Sequence, residues 1–167
     1  MMSKTHSYKS RLKLIKLLLL DVDGVMTDGG VYYGESGEEF KKFNVQDGHG
    51  LVQLQKRGIK VGILTGRFSR LVERRAHELG IAEVYQNLEN KAEAYEAIKS
   101  RLSLEDREIA YVGDDEPDLP VLELAGFSAA PANAAPRIRR AVDYVCKREG
   151  GDGAVREVVD LILEGRT

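Results

Sequence analysis

The segment Leu17–Gly29, reading Leu-Leu-Leu-Leu-Asp-Val-Asp-Gly-Val-Met-Thr-Asp-Gly, constrains the fold more than any other part of the chain. Four consecutive leucines suit a strand covered on both faces, since a half-exposed strand alternates apolar and polar residues. Directly after them come Asp21 and Asp23, then Gly24, where a tight turn becomes possible. Residues two apart in an extended segment project to the same side, so the two carboxylates converge. Crowded carboxylates repel, and a bound cation is one way to compensate them. This stretch alone points to a magnesium-assisted phosphoryl site with an aspartate nucleophile.

Elsewhere the chain repeats the arrangement of buried strand followed by polar turn. Lys60–Leu64 runs into Thr65-Gly66-Arg67, and Ile109–Val112 runs into Gly113-Asp114-Asp115-Glu116-Pro117-Asp118. Further strands are expected around 14–21 and at 84–85, 127–130 and 142–146. Helices are expected from an Asp47 N-cap to about Arg57, and over 69–79, 91–102, 117–124 and 134–141. A last amphipathic helix follows Gly150-Gly151-Asp152-Gly153, with Val155, Val158, Val159 and Ile162 at helical spacing. Such alternation predicts an α/β fold with a doubly wound, mostly parallel, Rossmann-like sheet and ligands at the carboxyl ends of its strands.

One segment departs from that rhythm. Val31–Tyr33 and Glu39–Phe43, joined through Gly and Ser, read as a β-hairpin suited to be a flap or an assembly surface. With no repeats and no linkers, the 167 residues read as one domain, polar and flexible over 1–10, with the hairpin as an insertion at 30–43.

Composition narrows the partners. A formal net charge of −2 gives no electrostatic reason to expect nucleic acid or an anionic membrane. The single cysteine, Cys146, excludes an internal disulfide, and a cytosolic setting is expected. Lys9, Arg11 and Lys13 before an apolar run imitate a signal peptide, but Lys16 and Asp21 interrupt it and no small-residue cleavage pattern follows.

Phosphoryl transfer requires a nucleophile, an acid for the leaving group, a cation, and donors to the phosphoryl oxygens. Asp21 can attack, and Asp23 can protonate the leaving alkoxide and then activate water. Magnesium takes a few carboxylates with waters and phosphate oxygens, which Asp21 and Asp114 can satisfy. Thr65 and Gly66 can donate a hydroxyl and a backbone N–H to the phosphoryl group. Lys91 sits in the first turn of a helix, where the macrodipole disfavours a cation, so it reads as reaching for an anion. Arg70, Arg74 and Arg75 read in part as a solvated helix face, with Arg74 and Glu78 spaced to pair, whereas Arg67 at a strand end suits an anionic substrate group. Strand-end acids can also merely cap helices; two such clusters on separate strand ends argue for a site.

In order, Asp21-Val-Asp23-Gly24-Val25, Leu64-Thr65-Gly66, Lys91 and Gly113-Asp114-Asp115-x-x-Asp118 resemble the four motifs of the haloacid dehalogenase-like phosphatases. Asp-Val-Asp-Gly-Val-Met-Thr-Asp-Gly, Phe-Asn-Val-Gln-Asp-Gly, Leu-Thr-Gly-Arg and Gly-Gly-Asp-Gly-Ala-Val-Arg-Glu further resemble the 3-deoxy-D-manno-octulosonate 8-phosphate phosphatases, over nearly all of Leu14–Leu163. The resemblance implies a capless, cytoplasmic, magnesium-dependent enzyme of lipopolysaccharide assembly. Its hairpin would help build a homotetramer in which a neighbour shields the site. It also implies Asp21 as nucleophile, Asp23 as acid and base, and Asp21, Asp114 and the Asp23 carbonyl on the metal, with Asp115 and Asp118 in support. Thr65 and Lys91 would hold the phosphoryl group. Asn44, Val45, Gln46, Asp47, Gly48, Gly66, Arg67 and Arg75 would line the sugar-acid pocket. Some relatives have a basic residue where Val52 stands, and some carry a longer C-terminal tail. Two alternatives stay open: a nonulosonate 9-phosphate phosphatase, against which Arg67 argues, and a phospho-aspartate signalling domain, against which Asp23 argues.

Overall fold

The structure is a computed structural model and describes residues 8–37 and 39–166. Six strands form one parallel sheet: β1 (Leu17–Leu20), β4 (Lys60–Leu64), β5 (Glu83–Tyr85), β6 (Ile109–Val112), β7 (Phe127–Ala130) and β8 (Tyr144–Val145), in the order β5-β4-β1-β6-β7-β8. Between β1 and β4 lie the antiparallel pair β2 (Tyr32–Tyr33) and β3 (Glu39–Phe40). The helices are α1 (Lys9–Leu12), α2 (Val45–Lys56), α3 (Arg70–Glu78), α4 (Lys91–Arg101), α5 (Leu119–Leu124), α6 (Pro136–Ala141) and α7 (Ala154–Glu164). None is long and apolar enough to cross a membrane.

The four leucines are central in the literal sense. β1 pairs with β4 on one side and β6 on the other, Leu17 opposite Lys60 and Ile109, and all four side chains have no exposed surface. Leu18 and Leu20 face the layer of α2, α3 and α7, where they join Leu51, Leu54, Val72, Val155 and Val159. Leu17 and Leu19 face α4, α5 and α6, joining Tyr95, Ile98, Val121 and Ile138. Each buried leucine contributes on the order of 2 kcal/mol, so neither helical layer can be removed without loss of the strand. The chain leaves β1 for β4 on one side and later returns to β6 on the other. That reversal opens a crevice at the carboxyl end of β1.

Several local expectations need correction. The N-cap of α2 is Asn44, not Asp47: Asn44 is extended and its Oδ1 accepts from the amides of Gln46 (2.8 Å) and Asp47 (3.1 Å). Asp47 lies inside the first turn, and its Oδ1 accepts instead from the Arg156 amide at 2.8 Å, in the first turn of α7. The expectation of a loose N-terminus falls outside the described residues for 1–7. Tyr8 is 5% exposed, its ring tilted against Phe127 and edge-on to Tyr144, and Lys9–Leu12 are helical. The hairpin strands and β8 are shorter than expected, since Phe43 lies beyond β3 and Val142 is the C-cap of α6. Glu38 of the hairpin lies outside the described residues.

Candidate active site

The turn after β1 is built around a few close approaches. The Asp21 amide donates to the Val112 carbonyl at 3.0 Å, continuing the β1–β6 ladder one residue past Leu20. The amides of Val25, Met26 and Thr27 then all point at the Val22 carbonyl, at 3.1, 2.9 and 3.1 Å. Buried Thr27 accepts at Oγ1 from the amides of Gly24 and Gly29, closing the loop. Gly24 has φ +88°, and a Cβ there would stand 2.0 Å from Asp114 Oδ2. Glycine is required twice over, once for the backbone and once for the carboxylate lying against it. A Cβ on Gly150 would stand 1.8 Å from the Gly24 carbonyl, so the Gly-rich loop before α7 is docked on the same turn.

Below this turn is a buried charge cluster. Lys91 Nζ donates to Asp21 Oδ1 at 2.7 Å and to Asp118 Oδ1 at 2.6 Å, with all three side chains under a tenth exposed. Asp118 accepts two further sets of donors: the Tyr111 hydroxyl at 2.6 Å, and the amides of Asp114 (2.9 Å) and Asp115 (3.3 Å). Four donors exhaust a carboxylate's four acceptor positions. Asp118 therefore serves as the post that holds Lys91, and Asp115, whose carboxylate is outside the core, caps the following 3-10 turn through the Glu116 amide.

Asp21, Asp114 and Asp118 bring carboxylate oxygens within 4.8 Å of one another. Burial and the nearby Asp118 charge push Asp21 up to about 6 despite Lys91, and burial with the Asp21 and Asp118 charges pushes Asp114 up to about 8. Burial works to lower the Lys91 ammonium, but Asp21 and Asp118 outweigh it and hold it above its ordinary value. One lysine thus leaves the acids undercompensated. With Asp118 saturated, Asp21 and Asp114 are the pair left facing a cation. Hard oxygen donors in that number, with room for water and phosphate, fit magnesium.

A second polar group lies across the turn. Lys41 Nζ, from the hairpin, donates to Asp23 Oδ1 at 2.6 Å and stands 3.3 Å from Glu39 Oε1. Arg67, 43% exposed, reaches Glu39 at 3.4 Å, the Tyr33 hydroxyl at 3.5 Å and Asp23 Oδ2 at 4.0 Å. Between the two groups is a cavity of about 360 Å³ lined by Asp21, Asp23, Gly29, Thr65, Gly66, Arg67, Lys91, Asp114, Asp115, Pro117 and Asp118. A larger cavity of about 510 Å³, beside α7 and Lys147, holds none of these strand-end acids. Chemistry, not volume, singles out the smaller one.

The remaining expected residues are not brought to it. Arg75 donates to the Asn44 carbonyl at 3.3 Å, lies over the Phe43 ring and pairs with Glu78. A Cβ on Gly48 would stand 2.3 Å from Arg75 Nη2. Asn44 and Gly48 lie against Arg75 at the start of α2, Gln46 lines the larger cavity, and none of Asn44–Gly48 or Arg75 lines the smaller, acid-lined one. Val45 there is 81% exposed.

Known proteins resemble this chain in sequence and in fold. A family profile for haloacid dehalogenase-like hydrolases matches residues 47–126. The chain is 48% identical over 149 residues to the 3-deoxy-D-manno-octulosonate 8-phosphate phosphatase KdsC of Escherichia coli strain K12, covering 89% of this chain and 79% of that protein. The chain belongs to the 3-deoxy-D-manno-octulosonate 8-phosphate phosphatase family. The crystal structure of the Yersinia pestis phosphatase superposes with a TM-score of 0.94 at 45% identity, covering 95% of this chain and 86% of that one. The Moraxella catarrhalis phosphatase, solved with magnesium, phosphate and KDO, gives 0.94 at 42% identity over 96% of this chain and 92% of that one. The α/β fold, with its six-stranded parallel sheet and small antiparallel hairpin, is therefore this phosphatase family's fold.

Three residues that shape this phosphatase site escaped the sequence. Lys41 is the first of two adjacent lysines just after β3, and nothing local singles it out. Tyr111 reads as core, which it is, with its hydroxyl serving Asp118. Thr27 carried a signal, since a hydroxyl three residues after Gly24 suits a side-chain-to-backbone turn.

Proposed function

We propose that this chain is a magnesium-dependent phosphomonoesterase that hydrolyses 3-deoxy-D-manno-octulosonate 8-phosphate to the free sugar acid and phosphate. The observation that carries the reading is the undercompensated Asp21–Asp114 pair in a cavity that Lys91, Thr65 and Arg67 also line. Its near neighbours in sequence bear that activity by name. Asp21 attacks phosphorus; an oxygen–phosphorus bond forms on its carboxylate as the ester oxygen–phosphorus bond breaks. Asp23 passes its proton to the departing alkoxide. Once the sugar leaves, Asp23 takes a proton from water, the water oxygen attacks phosphorus, and the Asp21–phosphorus bond breaks to release phosphate. Asp21, Asp114 and the Asp23 carbonyl would hold magnesium, which would supply positive charge against the phosphoryl oxygens. Lys91, Thr65 and the Gly66 amide orient those oxygens, with Asp118 fixing Lys91. Asp115 supports the turn.

Arg67 suits the sugar's carboxylate, being the cavity's exposed cation. Asn44–Gly48 and Arg75 serve the substrate by reaching it from a neighbouring copy, because they do not line this chain's own cavity. A homotetramer would supply that copy and cover the hairpin, where Val31, Tyr32, Tyr33 and Phe40 are 49%, 46%, 70% and 57% exposed. The cytoplasm, as the place of lipopolysaccharide sugar activation, completes the reading, as does a single-domain organisation with the hairpin as an insertion. The test is phosphate release from octulosonate 8-phosphate and nonulosonate 9-phosphate, with magnesium and with EDTA. The reading expects magnesium-dependent turnover with the higher kcat/KM on the octulosonate. A preference for the nonulosonate, or turnover undiminished by EDTA, overturns it.

A further inference from the structure

The two oxygens of Asp23 are not equivalent. Oδ1 accepts a 2.6 Å bond from Lys41, while Oδ2 stands 4.0 Å from the Arg67 guanidinium. Lys41 is itself unusual. It extends from a two-stranded hairpin whose Tyr33 and Phe40 are mostly exposed, yet its side chain is 3% exposed. Removing an ammonium from water on a marginal element is unfavourable unless its partners are well placed. Here they are Asp23 and Glu39, and Glu39 also holds Arg67.

We infer that Lys41 is a positioning residue for the acid step: it binds Asp23 through Oδ1 and leaves Oδ2 to carry the proton to the leaving group. A proton on Oδ1 would confront the N–H donors of the ammonium, which leaves Oδ2 as the oxygen to carry it at the cavity that Asp23 lines. The hairpin thereby fixes the acid's orientation as well as covering the site. Orientation has a large effect, because a displacement of about 1 Å can cost roughly a hundredfold in rate. The inference rests on the reading of Asp23 as acid and base.

The test compares two esters. Only an alkyl phosphate needs its leaving oxygen protonated; p-nitrophenolate departs without help. Values of kcat/KM are compared, since they stop at alcohol release and exclude the shared hydrolysis of the phospho-enzyme. Lys41→Met is expected to lower kcat/KM on octulosonate 8-phosphate at least about tenfold and on p-nitrophenyl phosphate less than about threefold, a split that loss of fold would not produce. In an Asp23→Asn background, Lys41→Met is expected to cost less than about twofold more on the sugar ester, because the group it orients is already gone. Equal losses on both esters, no loss on the sugar ester, or the full tenfold loss repeated over Asp23→Asn would each overturn the inference. Failures separate cleanly. If wild-type enzyme rejects the octulosonate, the substrate reading fails and the same split is measured on an alkyl phosphate it accepts. If Asp23→Asn alone is harmless on that ester, the acid role fails and this inference with it.

Discussion

Asp118→Asn isolates what the buried post is worth. Asp118 Oδ1 accepts from Lys91 and Tyr111, and Oδ2 accepts from two backbone amides. An asparagine of the same shape must turn an NH2 group toward one of those donor pairs, whichever way it flips. It also withdraws one of the two carboxylates that compensate Lys91, which is 7% exposed. Breaking a buried charge pair costs about 3–5 kcal/mol; because Lys91 keeps Asp21, the low end, about 3 kcal/mol, is expected. For a chain of 167 residues that corresponds to a Tm lower by roughly 6–12 °C. Thermal and urea unfolding of the metal-free protein measures it. Asp115→Asn is the internal control: its exposed carboxylate only caps the following 3-10 turn, a place asparagine fills about as well, and a loss under about 1 kcal/mol is expected. Equal, small losses from both variants would refute the reasoning that Asp118 is the saturated anchor.

Other consequences follow from single contacts. Gly24→Ala drives a methyl into Asp114 at a positive φ, so activity should fall at least about tenfold with about 1–3 kcal/mol of stability, read by kinetics and unfolding together. Arg67→Ala should raise KM for the sugar phosphate several-fold while sparing p-nitrophenyl phosphate, which has no carboxylate to lose. Cys146 is 3% exposed, and burial with the Glu157 charge pushes its thiol up to about 12. Ellman's reagent at pH 8 should therefore leave the native thiol unreacted and titrate it on unfolding.

Much of the layout was legible because it is local. Leu17–Leu20 announce a doubly covered strand, and Asp21, Thr65 and Asp114 each sit just beyond a strand whose apolar run is plain. Parallel alternation then places those ends together. Lys91 stands out for its place in the first turn of a helix, and its ammonium meets Asp21. What stayed hidden depends on distant partners. Asp118 reads as one more acid in a turn; its weight comes from Lys91, 27 residues away, and from Tyr111. Lys41 meets Asp23 across 18 residues and a loop whose path no periodicity encodes. Tyr8, in a polar leader, is drawn into the core by Phe127 and Tyr144. Asn44 and Asp47 are both competent caps, and the choice between them was made by α7, whose first turn takes the Asp47 carboxylate.

The central claim is that Asp21 becomes transiently phosphorylated and is then hydrolysed with Asp23's help. Acid-quench of the magnesium-loaded enzyme turning over octulosonate [32P]8-phosphate tests it most directly. The account predicts label on the peptide carrying Asp21, lost within the turnover time, absent in Asp21→Asn, and accumulating when Asp23 is replaced by Asn. Phosphate released with no label ever on that peptide would contradict it, as would a label stable for minutes with no phosphate released.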